Sequence, residues 1–547
     1  MAESYRSSEA TPAWLRAVLP SMADIIFVAL LGALVLTPLS VRLLGDAGIG
    51  WHIRTGQQIL TTLRVPRVDP FSSEAPCISA ERPDTAAEHS TAERCSRKWL
   101  AWEWLYDVVV GELEATLGLN GVVWLTAVVI AAVFAWTFRL LIRGGTNLLA
   151  ALVLVLLAIS ASMIHFLARP HVVSWLFTLA WFAILDRSEK AFDRSRVLHL
   201  LWTLPLLMLV WVNVHGGFLF GFALLAVFWL GAVWDWFRAR SDRIEESFAK
   251  ITAGQRARDL FLAGLLLALA SLVNPYGWKL HAHVYSYLTN HFLMDHIDEF
   301  QSPNFHLIAQ KCFLALLLIA FSVVAARSGT LRMSHVLTLL LAVYAGLYAS
   351  RNIPVASILV VLLIGPLISS GKLWRGARSS ESPGFLQRMA AVESEVRGHL
   401  WPILAIAATL AVALNGGRVG SSQIMNAHFD PKRMPVAAVD FLEQQHVTGS
   451  VLSPDFWGGY LIYRHIPVVV DDRHDMYGED FFNSYLKMVH VENGWQKFLE
   501  AQPASCVLLP RDAALANVLA QTAGWKSIYS DDVAMAFVRD APAKPAR

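Results

Sequence analysis

Asp46, His52 and Arg54 crowd together in one short stretch, GDAGIGWHIRTG, beginning at Gly45. A carboxylate there can take a proton, an imidazole can shuttle one, and a guanidinium fork can hold phosphate. A second acid, Asp69, follows in VPRVDPFSSEAP. Four more polar clusters interrupt apolar sequence: HFLARPH with His165, Arg169 and His171; WVNVHGGF with Asn213 and His215; the run from NPYGWKLHAHVYSY to DHIDEFQSPNF; and SRNIP with Arg351. Acids beside arginines at a bilayer edge suit a lipid-phosphate substrate. One acid activates an acceptor while cations stabilise the departing phosphate. No Walker loop, dinucleotide glycine fingerprint or HExxH motif occurs, so a nucleotide donor and a zinc hydrolase lack support. A structural reading competes with this one. Trp, His and Arg at helix ends serve as interfacial anchors, and Asp46 suits a helix N-cap.

The elements that must position these groups are membrane helices. The chain has 547 residues, of which 55% are hydrophobic and 16% charged, with a mean hydropathy of +0.46. That composition points to a polytopic membrane protein. The net charge of +2 says nothing about partners, and no nucleic-acid motif appears. Apolar runs suited to span a bilayer lie at roughly 22–42, 120–142, 146–164, 171–186, 197–213, 218–236, 259–273, 312–326, 335–350, 353–370 and 399–416, about eleven in all. The first run lacks a small-residue cleavage site and reads as a retained helix. Residues 103–117 read as an interfacial helix. WHIRTGQQILTTL reads as an amphipathic surface helix anchored by Trp51.

Lys and Arg concentrate in loops 138–146, 187–197, 237–258, 327–334 and 371–398. The short loops on the other side carry little beyond Arg169, Lys279, Lys311 and Arg351. The positive-inside rule then puts the N-terminus in the cytoplasm and all the polar clusters on the outer face of the inner (plasma) membrane. Residues 1–419 form the transmembrane domain, with 43–104 as a large first outer loop. An odd span count leaves 420–547 outside. Short β-like runs alternate there with helical ones, which predicts a small α/β domain. Cys77 and Cys95 share the outer loop and are candidates for a disulfide.

Through Asp46, Trp51, Arg54 and Asp69, the first loop resembles that of the GT-C superfamily of integral-membrane glycosyltransferases. Oligosaccharyltransferase relatives carry an acid soon after the first span, an aromatic, an Arg and a later Asp. VLSPDFWGGYLIYRHIPVVVDDR looks like their WWDYG region, through Trp457, Gly459 and Tyr460. Gly458 stands where that motif has Asp, which argues against peptide-Asn glycosylation. Asp46 is followed by Ala47 and Gly48, so the superfamily's acid–any–acid pair is absent. His165 and His171 stand where relatives often have acids. The chain is also similar to bacterial membrane proteins with WHIRTG, VPRxDPFS and NPYG signatures, which adds no substrate.

The resemblance implies a GT-C-like helical membrane fold and an inverting transfer from a polyprenyl-phosphate-linked sugar. The lipid bilayer and that donor are the expected partners. Asp46, His52 and Asp69 are the catalytic candidates. Trp51, Arg54, Arg169, His171, His215, Arg351, Trp457, Tyr460 and Asp472 are the substrate-binding candidates. Asp46 is also a candidate ligand for a divalent metal, Mg or Mn. The alternative is a non-enzymatic protein that binds or translocates polyprenyl lipid.

Overall fold

Ser21 starts the first apolar helix with a reciprocal cap. Its hydroxyl accepts from the Asp24 amide at 3.1 Å, and its own amide donates to the Asp24 carboxylate at 2.8 Å. The helix α1 runs Met22–Leu36 and stops before Pro38. The computed structural model describes residues 13–73, 75–76, 94–95, 97–191, 193–239, 244–327, 331–369, 385–396 and 399–539. Among the helices that follow are α2 (Ile49–Thr62), α3 (Trp104–Leu117), α4 (Leu119–Arg143), α5 (Leu148–Ser162), α6 (His171–Lys190), α7 (Arg194–Trp211), α8 (Phe218–Arg238), α9 (Ile244–Ser271), α10 (Ile308–Arg327), α11 (Met333–Tyr348), α12 (Ile353–Ser369), α13 (Leu400–Leu414) and α14 (Asp455–Tyr463).

The chain is a multi-pass membrane protein. Every expected apolar run is helical. Fewer of them than the eleven expected are long and apolar enough to span on their own. Among the described residues five helices meet that requirement: Leu119–Arg143, Leu148–His165, Phe218–Arg238, Ile308–Ala326 and Ser350–Ser369. A bent pair ending in Leu400–Leu414 brings the number to six. Met22–Leu36 and Met333–Tyr348 are apolar but shorter. Helices α6 and α7 are long enough, but charged end turns, Arg187 and Lys190 in one and Arg194 and Arg196 in the other, dilute them.

Helices α2 and α3 form the floor of the first loop. They touch backbone to backbone. A Cβ on Gly56 would strike the Asp107 carbonyl, and one on Gly111 would meet the Gln57 amide at 2.8 Å. Helix α2 is therefore a buried element, and Trp51 is 7% exposed. The expectation of a surface helix anchored by Trp51 fails because α3 and the C-terminal segment cover it. Cys77 lies outside the described residues, so the pairing with Cys95 does too.

The C-terminal segment builds a four-stranded mixed sheet. Its strands are β1 (Ser450–Leu452), β2 (Ala504–Pro510), β3 (Trp525–Ser530) and β4 (Ala534–Arg539), in the order β1-β2-β4-β3. β1 and β2 are parallel, and the other pairs are antiparallel. The run Val468–Val469–Val470 is fully buried but is not a full strand. Val468 bridges Val451 on one side and Ser72 of the first loop on the other. The Ser73 amide donates to the Val468 carbonyl at 2.8 Å and the Val468 amide to the Phe71 carbonyl at 3.3 Å. The first loop is thus stitched to the far end of the chain.

Helix α14 completes this contact. A Cβ on Gly459 would strike the Ala47 carbonyl and lie 2.9 Å from the Gly48 Cα. Gly459→Val should therefore push α14 off the first loop. The expected cost is about 1–3 kcal/mol from overpacking, read as a lower unfolding midpoint and as new proteolysis in the C-terminal segment of the purified protein.

Candidate functional site

Arg169 sits where three remote parts of the chain meet. The Ala168 amide donates to the Leu43 carbonyl at 2.7 Å, which pins the second polar cluster to the first. The Arg169 guanidinium reaches Asp46 at 3.2 Å and Asp472 at 2.5 Å. Asp46 also accepts the Gly48 amide at 2.8 Å, two residues on, so it forms an Asx turn. The N-cap of α2 is Gly48, not Asp46. The other oxygen of Asp472 accepts the Trp51 indole N–H at 3.0 Å. A Cβ on Gly48 would fall among Asp472, Arg169 and Asp46. The glycine leaves the space in which the three groups converge.

The electrostatics follow from burial opposed by partners. Burial alone lowers an arginine, but Asp46 and Asp472, with Glu299 and Glu103 behind them, hold Arg169 above its ordinary value. Burial pushes the Asp472 carboxyl up to about 7 against the pull of Arg169, with Asp46 and Asp471 adding like charge. The side chains of Asp46, Arg169 and Asp472 remain 27%, 19% and 15% exposed, so a ligand can reach them.

Around this triad lies a second ring. Arg351 pairs with Glu299 at 3.2 Å and lies over the Phe300 ring at 4.6 Å. Burial raises Glu299, but Arg351 and Arg169 outweigh it and bring the carboxyl down to about 2. His171 meets the His165 carbonyl at 3.0 Å, while His165 Nε2 is buried without a hydrogen-bond partner among the described residues.

Deeper still is a layer in which burial disfavours charge. His52 Nδ1 and the Asp107 carboxyl are 2.6 Å apart, and both are buried. Burial lowers His52 well below its ordinary value and raises Asp107 well above its own. Glu103 lies between two imidazoles, 3.8 Å from His52 Nε2 and 3.7 Å from His215 Nε2. Burial lowers His215 to about 3, with Arg351 adding to the effect.

Arg473 locks the C-terminal segment to the loop. It is 3% exposed and pairs with Asp471 at 2.6 Å and Asp69 at 2.9 Å. Its guanidinium carbon stands 4.6 Å from the Trp99 ring and 5.3 Å from that of Phe71. Asp69 also accepts the Phe71 and Ser72 amides at 3.0 and 3.1 Å.

The structure therefore brings Asp46, Trp51, Arg169 and Asp472 into direct contact, with His52, His171, His215 and Arg351 around them. It leaves other candidates elsewhere. Arg54 donates to the Tyr463 carbonyl and to Gln57, and Asp69 is consumed by Arg473. The Trp457 indole donates to the Arg433 carbonyl, and the Tyr460 hydroxyl accepts from Arg464. Glu103, Asp107 and Glu299 are the acids that sequence reasoning missed. The signal for the first two was WEWLYD, acids four residues apart among aromatics at the start of an otherwise apolar helix.

A metal at Asp46 does not fit the residues present. The Arg169 guanidinium already lies against the Asp46 and Asp472 carboxylates, where a divalent ion would sit. Among the described residues one group could hold a metal: the ligand atoms of Asp186, Glu189 and His335 lie within 4.8 Å of one another. It lies at the other end of α6, with Lys190, Arg256 and Arg332 on the same carboxylates.

No family model and no curated protein matches the chain. Solved structures do. The archaeal oligosaccharyltransferase AglB from Archaeoglobus fulgidus, in complex with an inhibitory peptide and a dolichol-phosphate, aligns over 89% of this chain and 69% of its own, at 11% identity and a TM-score of 0.51. ArnT from Cupriavidus metallidurans, bound to undecaprenyl phosphate, aligns over 96% and 98% at 13% identity and a TM-score of 0.47. The fold is thus like that of the archaeal oligosaccharyltransferase, a helical membrane body with a small mixed sheet at its C-terminal end.

Arg473→Met keeps the volume of the side chain and strands two buried carboxylates. Breaking a buried pair from one side costs about 3–5 kcal/mol. The variant should lose most of its cooperative unfolding transition, or melt far below the wild type, in a detergent thermal scan.

Proposed function

We propose that this chain is a membrane glycosyltransferase. It moves a sugar from a polyprenyl-phosphate-linked donor to an acceptor on the extracytoplasmic face, with inversion at the sugar. The observation that carries this reading is the convergence of Asp46, Arg169 and Asp472 from three remote segments into one partly open polar site at the ends of membrane helices. The shared fold supports it, since the archaeal oligosaccharyltransferase with that fold holds a dolichol-phosphate.

An apolar groove supports it further. Leu30, Leu34, Leu43, Ile159, Met163 and Phe166 line a small apolar cavity of about 80 Å³, with Arg42 also in its wall. Leu43 and Phe166 each stand three residues before a member of the site, Asp46 or Arg169. A lipid chain in the groove would thus present its phosphate beside the triad.

In this reading Asp46 takes the proton of the acceptor hydroxyl as that oxygen attacks the sugar. Arg351 and Arg169 meet the negative charge that grows on the leaving phosphate. Asp472 and Trp51 hold Arg169 in place. The step runs through the protein's own residues and assigns no metal. Asp69 has a structural role, and Arg54, Trp457 and Tyr460 brace α14 against the loop rather than touch substrate. The domains divide at about 419/420, with the C-terminal sheet outside the cell membrane and the N-terminus in the cytoplasm.

Two experiments test this. A reporter active only in the cytoplasm, fused after Arg547, should stay silent, and a bright signal would put the site on the wrong face. Asp46→Asn keeps an oxygen to accept the Gly48 amide, so the protein should fold as the wild type does. Losing a general base typically removes 10²–10⁴-fold of rate. Transfer from a polyprenyl-phosphate-linked sugar should fall by about that factor, and normal transfer by the folded variant removes Asp46 from the mechanism.

A further inference from the structure

Glu103 is 9% exposed, yet among the described residues no hydrogen bond reaches its carboxyl. The two nearest donors stand at 3.7 and 3.8 Å, beyond the usual range of about 2.7–3.2 Å. Both imidazoles are fixed from behind. The Ser174 hydroxyl accepts the Trp211 indole N–H at 2.7 Å, so its own proton goes to His215 Nδ1 at 2.8 Å. The Gly217 amide donates to the same nitrogen at 3.0 Å. His215 Nδ1 is therefore an acceptor, and its proton sits on Nε2, facing Glu103. His52 is held in turn by Asp107 at 2.6 Å. The carboxyl thus stands between two oriented rings, its side chain 11% exposed and with no protein hydrogen bond among the described residues.

We propose that Glu103 is the general acid of the transfer, giving its proton to the phosphate oxygen that leaves the sugar while Asp46 receives the proton of the acceptor hydroxyl. This rests on the transferase reading above. The bond between the sugar C1 and the acceptor oxygen forms as the bond between C1 and the phosphate oxygen breaks. The electron pair of the broken bond stays on the phosphate oxygen, which takes the Glu103 proton. Exchange with solvent returns a proton to Glu103 and removes one from Asp46. His52 and His215 are positioning residues that wall the space around the carboxyl without bonding it.

The environment suits an acid. Burial is the main cause that lifts Glu103 to about 8, with Asp475 and Glu299 adding like charge against the pull of Arg169 and Arg351. His52, His215 and Asp107 also face it. The group is raised, so it is protonated at neutral pH and loses its proton as pH rises through about 8. Two acids with separated environments then divide the work of acid and base.

The test uses the full-length protein in lipid nanodiscs, with a panel of polyprenyl-phosphate-linked hexoses. Wild-type transfer should fall as pH rises past about 8. Glu103→Gln should fold, lose about 10²–10⁴-fold of kcat, and show no alkaline limb in what remains. Glu103→Asp should restore part of the rate. Infrared difference spectra should show a protonated carboxyl band in the wild type at neutral pH. It should vanish above pH 8 and be missing from Glu103→Gln. A Glu103→Gln protein that keeps its rate or its alkaline limb, beside an active wild type, overturns the acid role and leaves the transferase reading intact. A folded wild type that transfers none of the panel, with Asp46→Asn no different from it, sinks the transferase reading and the acid role together.

Discussion

The bridge from Asp46 through Arg169 to Asp472 is the constraint on which the site depends. Each carboxylate belongs to a different part of the chain, and neither has a second cation at comparable distance among the described residues. The guanidinium can bind both only because Gly48 brings no side chain into the gap. Everything else that meets there is arranged to keep this geometry. Gly459 lets α14 approach the loop, Trp51 orients Asp472, and Arg473 fastens the segment that carries it. The Asp46–Arg169–Asp472 ion pair stays partly exposed. It is also the pair that an incoming phosphate would compete for, since both oxyanions want the same fork.

The site has an electrical gradient across its depth. At the open side, Glu299 is held ionised by two arginines. At the closed side, burial lowers His52 and His215 and raises Asp107, in each case against the charged form. Glu103 lies at the boundary, with burial behind it and cations in front. This arrangement needs no exotic residue. It needs carboxylates at graded depth beside fixed positive charge, which is what loops at the end of a helical bundle supply.

The sequence made part of this legible. Apolar runs declare helices because lipid or a dry core demands them, and every run read as a span is helical. The polar clusters stood out because charge beside a membrane is costly. The assignments within those clusters were less secure. Arg54 and Arg169 look alike in one dimension, yet one is bound by a backbone carbonyl of α14 and the other bridges two acids. The difference comes from packing with residues hundreds of positions away. Glu103 was passed over because its helix read as an amphipathic surface element. It became visible only once α2 and the rings of His52 and His215 closed over it. Fewer of those runs are long and apolar enough to span among the described residues, because charged end turns shorten the apolar stretch of α6 and α7.

The stitching of the first loop to Val468 and Arg473 also has a consequence for how the protein is made. Asp69 and its cation are 404 positions apart. The ribosome delivers the loop long before its partner. Until the segment carrying Asp472 and Arg473 has been made, Asp69 lacks its cation and Asp46 lacks one arm of its bridge. A chain still in synthesis therefore presents helices to the membrane but has no finished site. A product that stops short of Asp472 lacks both the Asp46–Arg169–Asp472 bridge and the cation that Asp69 holds.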